Sequence, residues 1–280
     1  MSTSAPLTVR RLGIDLDTPL PRHWNGGCAF RTAFFDALSM SFPAGEQIFI
    51  DSMRMGVAEL APEQRVRFSD EVQAFIGQEA THRHVHARYN AHLLQQGLVN
   101  RWEQRILRRR RELEDSGMGP RNWLAMTAAT EHITAVFSEL LLAHADELLA
   151  GAEPRLRDLW LWHCSEETEH RSTAFELYRA IGGNEAWRLR VFRAVSGYFI
   201  ADVLRQTANN LWHDGSWWKP VVWWRGLQFL VGSPGVLRKV YGPWKRYRQA
   251  GFHPAQADGS AATAWLAAHA DLAPPVRQPA

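Results

Sequence analysis

Cysteine is almost missing from this chain: Cys28 and Cys164 are the only two among 280 residues. Two thiols cannot build a disulfide framework, and they fit a reducing cytoplasm. Neither has thiolate neighbours at metal-site spacing, so a structural zinc is not expected. No apolar run reaches the about 18 residues that a membrane-spanning helix needs. Met1 to Pro21 lacks a charged start followed by an apolar stretch, which argues against a secretory signal. Before residue 184 nothing alternates at period two, so no sheet is expected. Acid is scarce in one stretch. Between Ala186 and Ala250 eleven Arg or Lys face only Asp202 and Asp214, a balance of +9 in a chain whose total is +3. The remainder therefore carries −6. The same stretch holds seven of the thirteen tryptophans.

What is present is enough for one sizeable core, or one core with an appendage, and the 46% of hydrophobic residues is ordinary for a globular chain. Ala29 to Met40 fits a short helix, and Pro43 fits the first turn of another that ends near Leu60. Pro62 opens a pattern that runs to Gln96 and stops at Gly97. Gly119-Pro120 opens one that stops at Gly151, and Pro154 opens one that stops at Gly182-Gly183. Long helices with short joins predict an all-α bundle. The longer connection from Leu98 to Gly119 resembles the crossover such bundles use once. Its run Arg108-Arg109-Arg110-Arg111 reads as a solvated face balanced by Glu112, Glu114 and Asp115.

Steps of three and four along the second pattern put Phe68, Val72, Phe75, Glu79, His82, His86, Tyr89 and Leu93 on one face. The pattern from Pro154 does the same with Leu156, Trp160, His163, Glu167, His170, Ala174, Leu177 and Ile181. The one from Pro120 aligns Leu124, Ala128, Glu131, Ala135, Ser138 and Leu142, and the first aligns Glu46 with Phe49, Ile50, Met53 and Val57. Every stripe thus carries a carboxylate among apolar residues. A lone buried carboxylate costs several kcal/mol or takes up a proton. Four that converge repel one another unless cations lie between them. Two divalent ions balance four carboxylates, and histidines at i+3 complete the coordination from the same faces. Glu79-x-x-His82 and Glu167-x-x-His170 are two copies of the Glu-x-x-His pattern of di-iron and di-manganese bundles. Glu46 precedes the first by 33 residues and Glu131 precedes the second by 36. The expected ligands are Glu46, Glu79, His82, Glu131, Glu167 and His170.

Across Phe42 to Ile181 these residues resemble the ferritin-like di-iron carboxylate superfamily. More narrowly, Phe42-Pro43-x-Gly45-Glu46, Gln78-Glu79-x-x-His82-x-x-x-His86-x-x-Tyr89-Asn90 and Trp162-His163-x-x-Glu166-Glu167-x-Glu169-His170 are similar to a bacterial family catalogued as predicted metal-dependent hydrolases. His163-x-x-x-Glu167-x-x-His170 is also similar to the fourth-helix pattern of di-iron arylamine N-oxygenases, and that resemblance implies His163 as a seventh ligand. His86, Glu166 and Tyr89 are expected behind the ligands or in the pocket wall, with ligation by His86 left open. His132 reads as structural, and His84 and Glu169 as solvated. No radical-forming tyrosine is identifiable, which leaves a ribonucleotide reductase role unsupported.

Carboxylate and imidazole donors suit iron or manganese. The expectation is two iron ions, with manganese or a mixed pair as the alternative. The first functional expectation is an oxygen-dependent oxidase or oxygenase acting on a small, hydrophobic organic molecule, with an external electron donor. Metal-assisted hydrolysis is the alternative, disfavoured because mid-helix ligands look internal whereas hydrolytic metal pairs usually sit in open clefts. Non-enzymatic metal binding is the third reading. Four segments are expected: an arm over 1–28, a ferritin-like bundle over 29–183, a basic Trp-rich helical extension over 184–250 and a tail over 251–280 with one short helix. The basic tryptophans of 187–249 admit three readings. They cover the bundle or form a homodimer contact, they lie on an anionic membrane surface, or, least favoured, they bind nucleic acid. Localisation is expected to be cytoplasmic, with peripheral membrane association if the second reading holds.

Overall fold

The computed structural model describes residues 6–233 and 235–276. The outermost residues of the expected arm and tail lie outside that range, as does Pro234. The fold is all-α, with no strand among the described residues. The helices are α1 (Ala29–Ala58), α2 (Pro62–Gln95), α3 (Arg101–Asp115), α4 (Pro120–Ala143), α5 (Ala145–Leu148), α6 (Pro154–His170), α7 (Thr173–Ala180), α8 (Glu185–His213), α9 (Pro220–Val231), α10 (Val236–Arg246) and α11 (Ser260–Ala268). Pro62, Pro120, Pro154 and Pro220 each open a helix, where the missing N–H would have had no intrahelical partner anyway. Gly97 ends α2 in the left-handed region at φ 89°, which frees Leu98 N–H to close on the Leu93 carbonyl.

α1 packs on α2 and α4, and α6 packs on α4 and α2, so the four enclose a common interior. α8 lies along α1 and α4, and α11 covers α6. The core inside falls into two apolar clusters. One gathers Phe35, Met40, Tyr89, Leu141 and Trp160, and the other gathers Phe49, Met53, Phe75, Leu124 and Leu177. α1, α2 and α4 each pass from one cluster to the other, α6 and α7 do so together, and Glu46, Glu79, Glu131 and Glu167 sit at the crossings.

Three helix boundaries differ from expectation. Pro43 does not open a helix; it lies inside a continuous α1. An internal proline costs about 3 kcal/mol, partly because the carbonyl four residues back loses its donor. Here that carbonyl is Ser39 O, and the Asn90 side-chain amide donates to it at 3.0 Å. The helix from Pro154 is broken after His170. The Arg171 guanidinium donates to the Thr168 carbonyl at 2.9 Å, and to Pro254 O and Ala257 O across the turn. α4 stops at Ala143, and the short α5 fills the stretch before Gly151. The connection after Leu98 is itself helical, with the Asn100 side chain capping α3 through Glu103 N–H. Its arginine run is only partly solvated. Arg108 pairs with Glu112 at the surface, whereas Arg109 reaches the buried Asp202 of α8.

The arm is more deeply built in than its irregular sequence indicates. Leu12, Leu16, Leu20 and Trp24 are buried against the first cluster. The tail pairs with the arm through backbone bonds, Gly13 N–H to Leu272 O and Val276 N–H to Val9 O, both at 2.8 Å.

Candidate metal centre

Every position of the α2 stripe from Phe68 to Leu93 is buried, including Glu79, His82 and His86. The same holds for Glu46 on α1, Glu131 on α4, and His163, Glu167 and His170 on α6. Their ligating atoms meet. Glu46, His82 and His163 form one group in which the donor atoms lie within 4.8 Å of one another, and Glu79, Glu167 and His170 form a second. Glu131 Oε2 lies 3.4 Å from His170 Nε2, beside the second group. Glu167 Oε1 touches both groups, at 3.4 Å from His82 Nδ1, 3.7 Å from His163 Nε2 and 3.5 Å from His170 Nε2.

These groups are poorly satisfied by protein alone. Both carboxylate oxygens of Glu46, Glu79 and Glu131 are buried without a hydrogen-bond partner, and so are Glu167 Oε2, His82 Nδ1, His163 Nδ1 and His170 Nε2. Each such group costs about 1–3 kcal/mol. The titration behaviour reflects the same strain. Burial, then repulsion from Glu79, lifts the Glu46 carboxyl well above its usual range. Burial, then repulsion from Glu167, lifts Glu131 to about 8. Glu79 is raised by burial, with His170 opposing. Glu167 alone is lowered, because His170 and His82 outweigh its burial. Burial opposes charge on His82, yet its bond to Glu166 and the nearby Glu167 carboxylate raise it to about 10. Burial, then the neighbouring His82, lowers His163 to about 3. Oxygen-rich and imidazole donors, orphaned and turned toward one another, fit divalent cations.

The imidazoles are oriented from behind. His82 Nε2 lies 3.0 Å from Glu166 Oε2, which leaves Nδ1 toward the cluster. His170 Nδ1 lies 2.9 Å from Gln78 Oε1, which leaves Nε2 toward the cluster. The two supports share one anchor, Arg10. Its guanidinium donates to Glu166 Oε1 at 3.2 Å and to Glu169 at 2.7 and 3.0 Å, and Gln78 Nε2 donates to Glu169 Oε2 at 2.9 Å. Partners of this kind fix imidazole orientation and basicity in metal sites. Glu169, expected in solvent, is therefore part of the scaffold. Arg10 escaped the sequence reading because it lies in an arm without periodicity and more than 150 residues from its partners.

His86 sits one turn past His82. The Ser39 hydroxyl donates to Asn90 Oδ1 at 2.7 Å, so at 2.8 Å His86 Nδ1 is the donor to Ser39 Oγ. Burial, then His163, keeps His86 neutral, and its Nε2 lone pair is buried without a partner. Tyr89, a further turn along, donates its hydroxyl to Asp36. Burial raises the Asp36 carboxyl to about 7. His132 bonds the Trp244 carbonyl at 3.2 Å among Tyr247 and Phe252, away from the centre, and His84 is exposed.

A cavity of about 480 Å³ opens onto the cluster between α1, α3, α4 and α8. Glu46 and Glu167 lie in its wall, which is otherwise mainly apolar, with Phe49, Trp102, Ile106, Met126, Val191 and Phe199. Arg109, Arg110 and Arg190 also line it. The ligands stay buried, yet they border this cavity, so their mid-helix position does not by itself argue against hydrolysis.

No curated protein and no solved structure matches the chain. A family model described as "Predicted metal-dependent hydrolase" matches residues 8–258. That match overturns the expectation of an oxygen-dependent oxidase or oxygenase. The match spans the arm, the four carboxylate-bearing helices and α8 to α10, and the chain belongs to the family of predicted metal-dependent hydrolases.

Proposed function

We propose that this chain is a hydrolase whose Glu46, Glu79, His82, Glu131, His163, Glu167 and His170 hold two divalent metal ions in a ferritin-like bundle. The observation that carries the reading is the convergence of these buried, unpartnered donors beside an apolar cavity. Iron and manganese suit the donor set, which has no thiolate.

Bound ions of this kind act as Lewis acids toward a carbonyl or phosphoryl oxygen and make water a better nucleophile. The residues of the chain supply the rest. Glu167, in contact with both groups, would serve both ions, and Glu46 and Glu167 border the cavity. Glu166 and Gln78 hold His82 and His170 in one orientation, and Arg10 holds both supports. His86 Nε2 is kept as a buried, unpartnered lone pair by the Ser39 bond. The apolar wall selects a substrate with an apolar body and limits the water that enters with it.

The test is to load metal-free protein with manganese or with ferrous iron under nitrogen. Chromogenic esters of increasing acyl length, aryl amides and phosphate esters are then supplied. Metal-dependent release of product without oxygen, rising with acyl length and lost in Glu79→Ala, is the expected result. Absence of hydrolysis across all three classes, with two metals bound, would refute the reading.

A further inference from the structure

The geometry points to α9 and the residues just before it as a docking surface for an anionic lipid membrane. The inference is independent of the reaction at the metal centre.

α9 is apolar on two opposite sides. Its inner side packs on α1, where Phe229 meets Phe34 at 5.4 Å between ring centroids and Phe30 lies so close to Gly226 that a methyl there would strike the ring. The outer side carries Val221, Trp224, Leu227 and Val231 at helical spacing, and each is at least half exposed. A surface helix normally sets one apolar stripe against a polar face, and one that is apolar all round is normally buried. α9 has a single charged residue, Arg225, and is covered on one side only. Just ahead of it, Trp218 is 73% exposed and packs at a tilt against the exposed Trp212, with ring centroids 5.4 Å apart. Ring contacts run on from Trp212 through Trp217 to Trp223 of α9, and exposed apolar and aromatic groups gathered in this way mark an interaction site.

Charge chooses the partner. From residue 215 to 257 the chain has Lys219, Arg225, Arg238, Lys239, Lys245, Arg246 and Arg248, and no acid. Only Lys239 has an ion-pair partner among the described residues, Glu147 at 3.2 Å. A second copy docking on this face would bring like charges together. A nucleic acid would stack on the tryptophans but gain nothing from the aliphatic row of Val221, Leu227 and Val231. An anionic bilayer satisfies all three features. Aliphatic side chains enter the acyl boundary, tryptophans rest at the headgroup level, and lysines and arginines meet the phosphates. No helix among the described residues is long and apolar enough to cross a bilayer, so the chain lies on the surface.

The test uses the full chain and phosphatidylcholine vesicles with and without phosphatidylglycerol. The expected result is sedimentation with the anionic vesicles at low salt, its loss at high salt, and little sedimentation with neutral ones. Brominated acyl chains should quench part of the tryptophan emission. The double variant Trp224→Ser, Leu227→Ser should lower binding at least tenfold with an unchanged circular dichroism spectrum. Val66→Ser, at an exposed valine of α2, should bind as the wild type does. No sedimentation with anionic vesicles at low salt would overturn the inference. So would equal binding by the double variant, or a dimer, seen by ultracentrifugation without lipid, that the double variant loses.

Discussion

Two regions of this molecule break the rule of apolar inside and charged outside, in opposite directions. At the centre of the bundle, four carboxylates and three histidines are buried among apolar side chains, with many of their polar atoms unpartnered. On α9, valine, leucine and tryptophan stand in solvent, covered by none of the described residues. Each departure is costly on its own and makes sense with a partner that supplies what is missing, positive charge in the first case and an apolar, anionic surface in the second. The contrast also separates two kinds of incompleteness. The central one is specified atom by atom, through oriented imidazoles, whereas the outer one is specified only by area and charge. Perturbing each region should therefore give very different signatures.

The largest effect should come from the centre. Manganese added to metal-free wild type should raise the melting temperature strongly, since a ligand at about 1,000 times its Kd adds about 4.1 kcal/mol to stability. Glu46→Ala and Glu79→Ala should show almost none of this rise in differential scanning fluorimetry. An equal rise in both variants would break the assignment.

Next comes pH. Glu131 is raised to about 8 and His82 to about 10 in the fold, each above its unfolded value. A raised group contributes stability that is complete below its unfolded pKa and is lost as pH rises through the folded one. The lowered His163 and Glu167 act only below about pH 6.5, their ordinary ranges. Metal-free protein should therefore lose stability steadily from pH 7 to 9. Metal competes with those protons, so the gap between loaded and metal-free melting temperatures should widen over the same range. A gap that narrows would contradict the protonation pattern.

Arg10→Ala should lower metal affinity by roughly 10- to 100-fold, the scale typical for losing partners behind a ligand. Isothermal titration of metal into the folded variant measures this, and an unchanged affinity would show that the Arg10 bridge has no hold on His82 and His170. The smallest stability change should come from the outer surface. Trp224→Ser should alter unfolding free energy by about 0.5 kcal/mol or less, as measured in urea, while metal content stays the same. A larger loss would mean that the α9 face is covered by protein after all.

Much of the centre was legible because helical spacing survives intact through it. Glu79, His82 and His86 stand where an apolar stripe requires leucine or valine, and the structure keeps that stripe buried from end to end. The boundaries were less legible where a distant residue compensates a local rule. Pro43 reads as a helix start until Asn90 is known to satisfy the Ser39 carbonyl, and the break after His170 depends on where Arg171 finds its acceptors. Arg10 gave no local signal at all. The chemistry was misjudged for a related reason. Internal ligands look closed in sequence, and the cavity that reaches Glu46 and Glu167 is walled by α3 and α8, which no spacing within the bundle helices announces.

The most direct test is the number of metal ions per chain in wild type and in Glu167→Ala, measured by mass spectrometry of the metals after reconstitution and desalting. Glu167 is the one carboxylate in contact with both donor groups. Two ions per wild-type chain and none retained in Glu167→Ala, with the helical spectrum preserved, are the expected result. Two ions in both proteins, or none in the wild type, would contradict it.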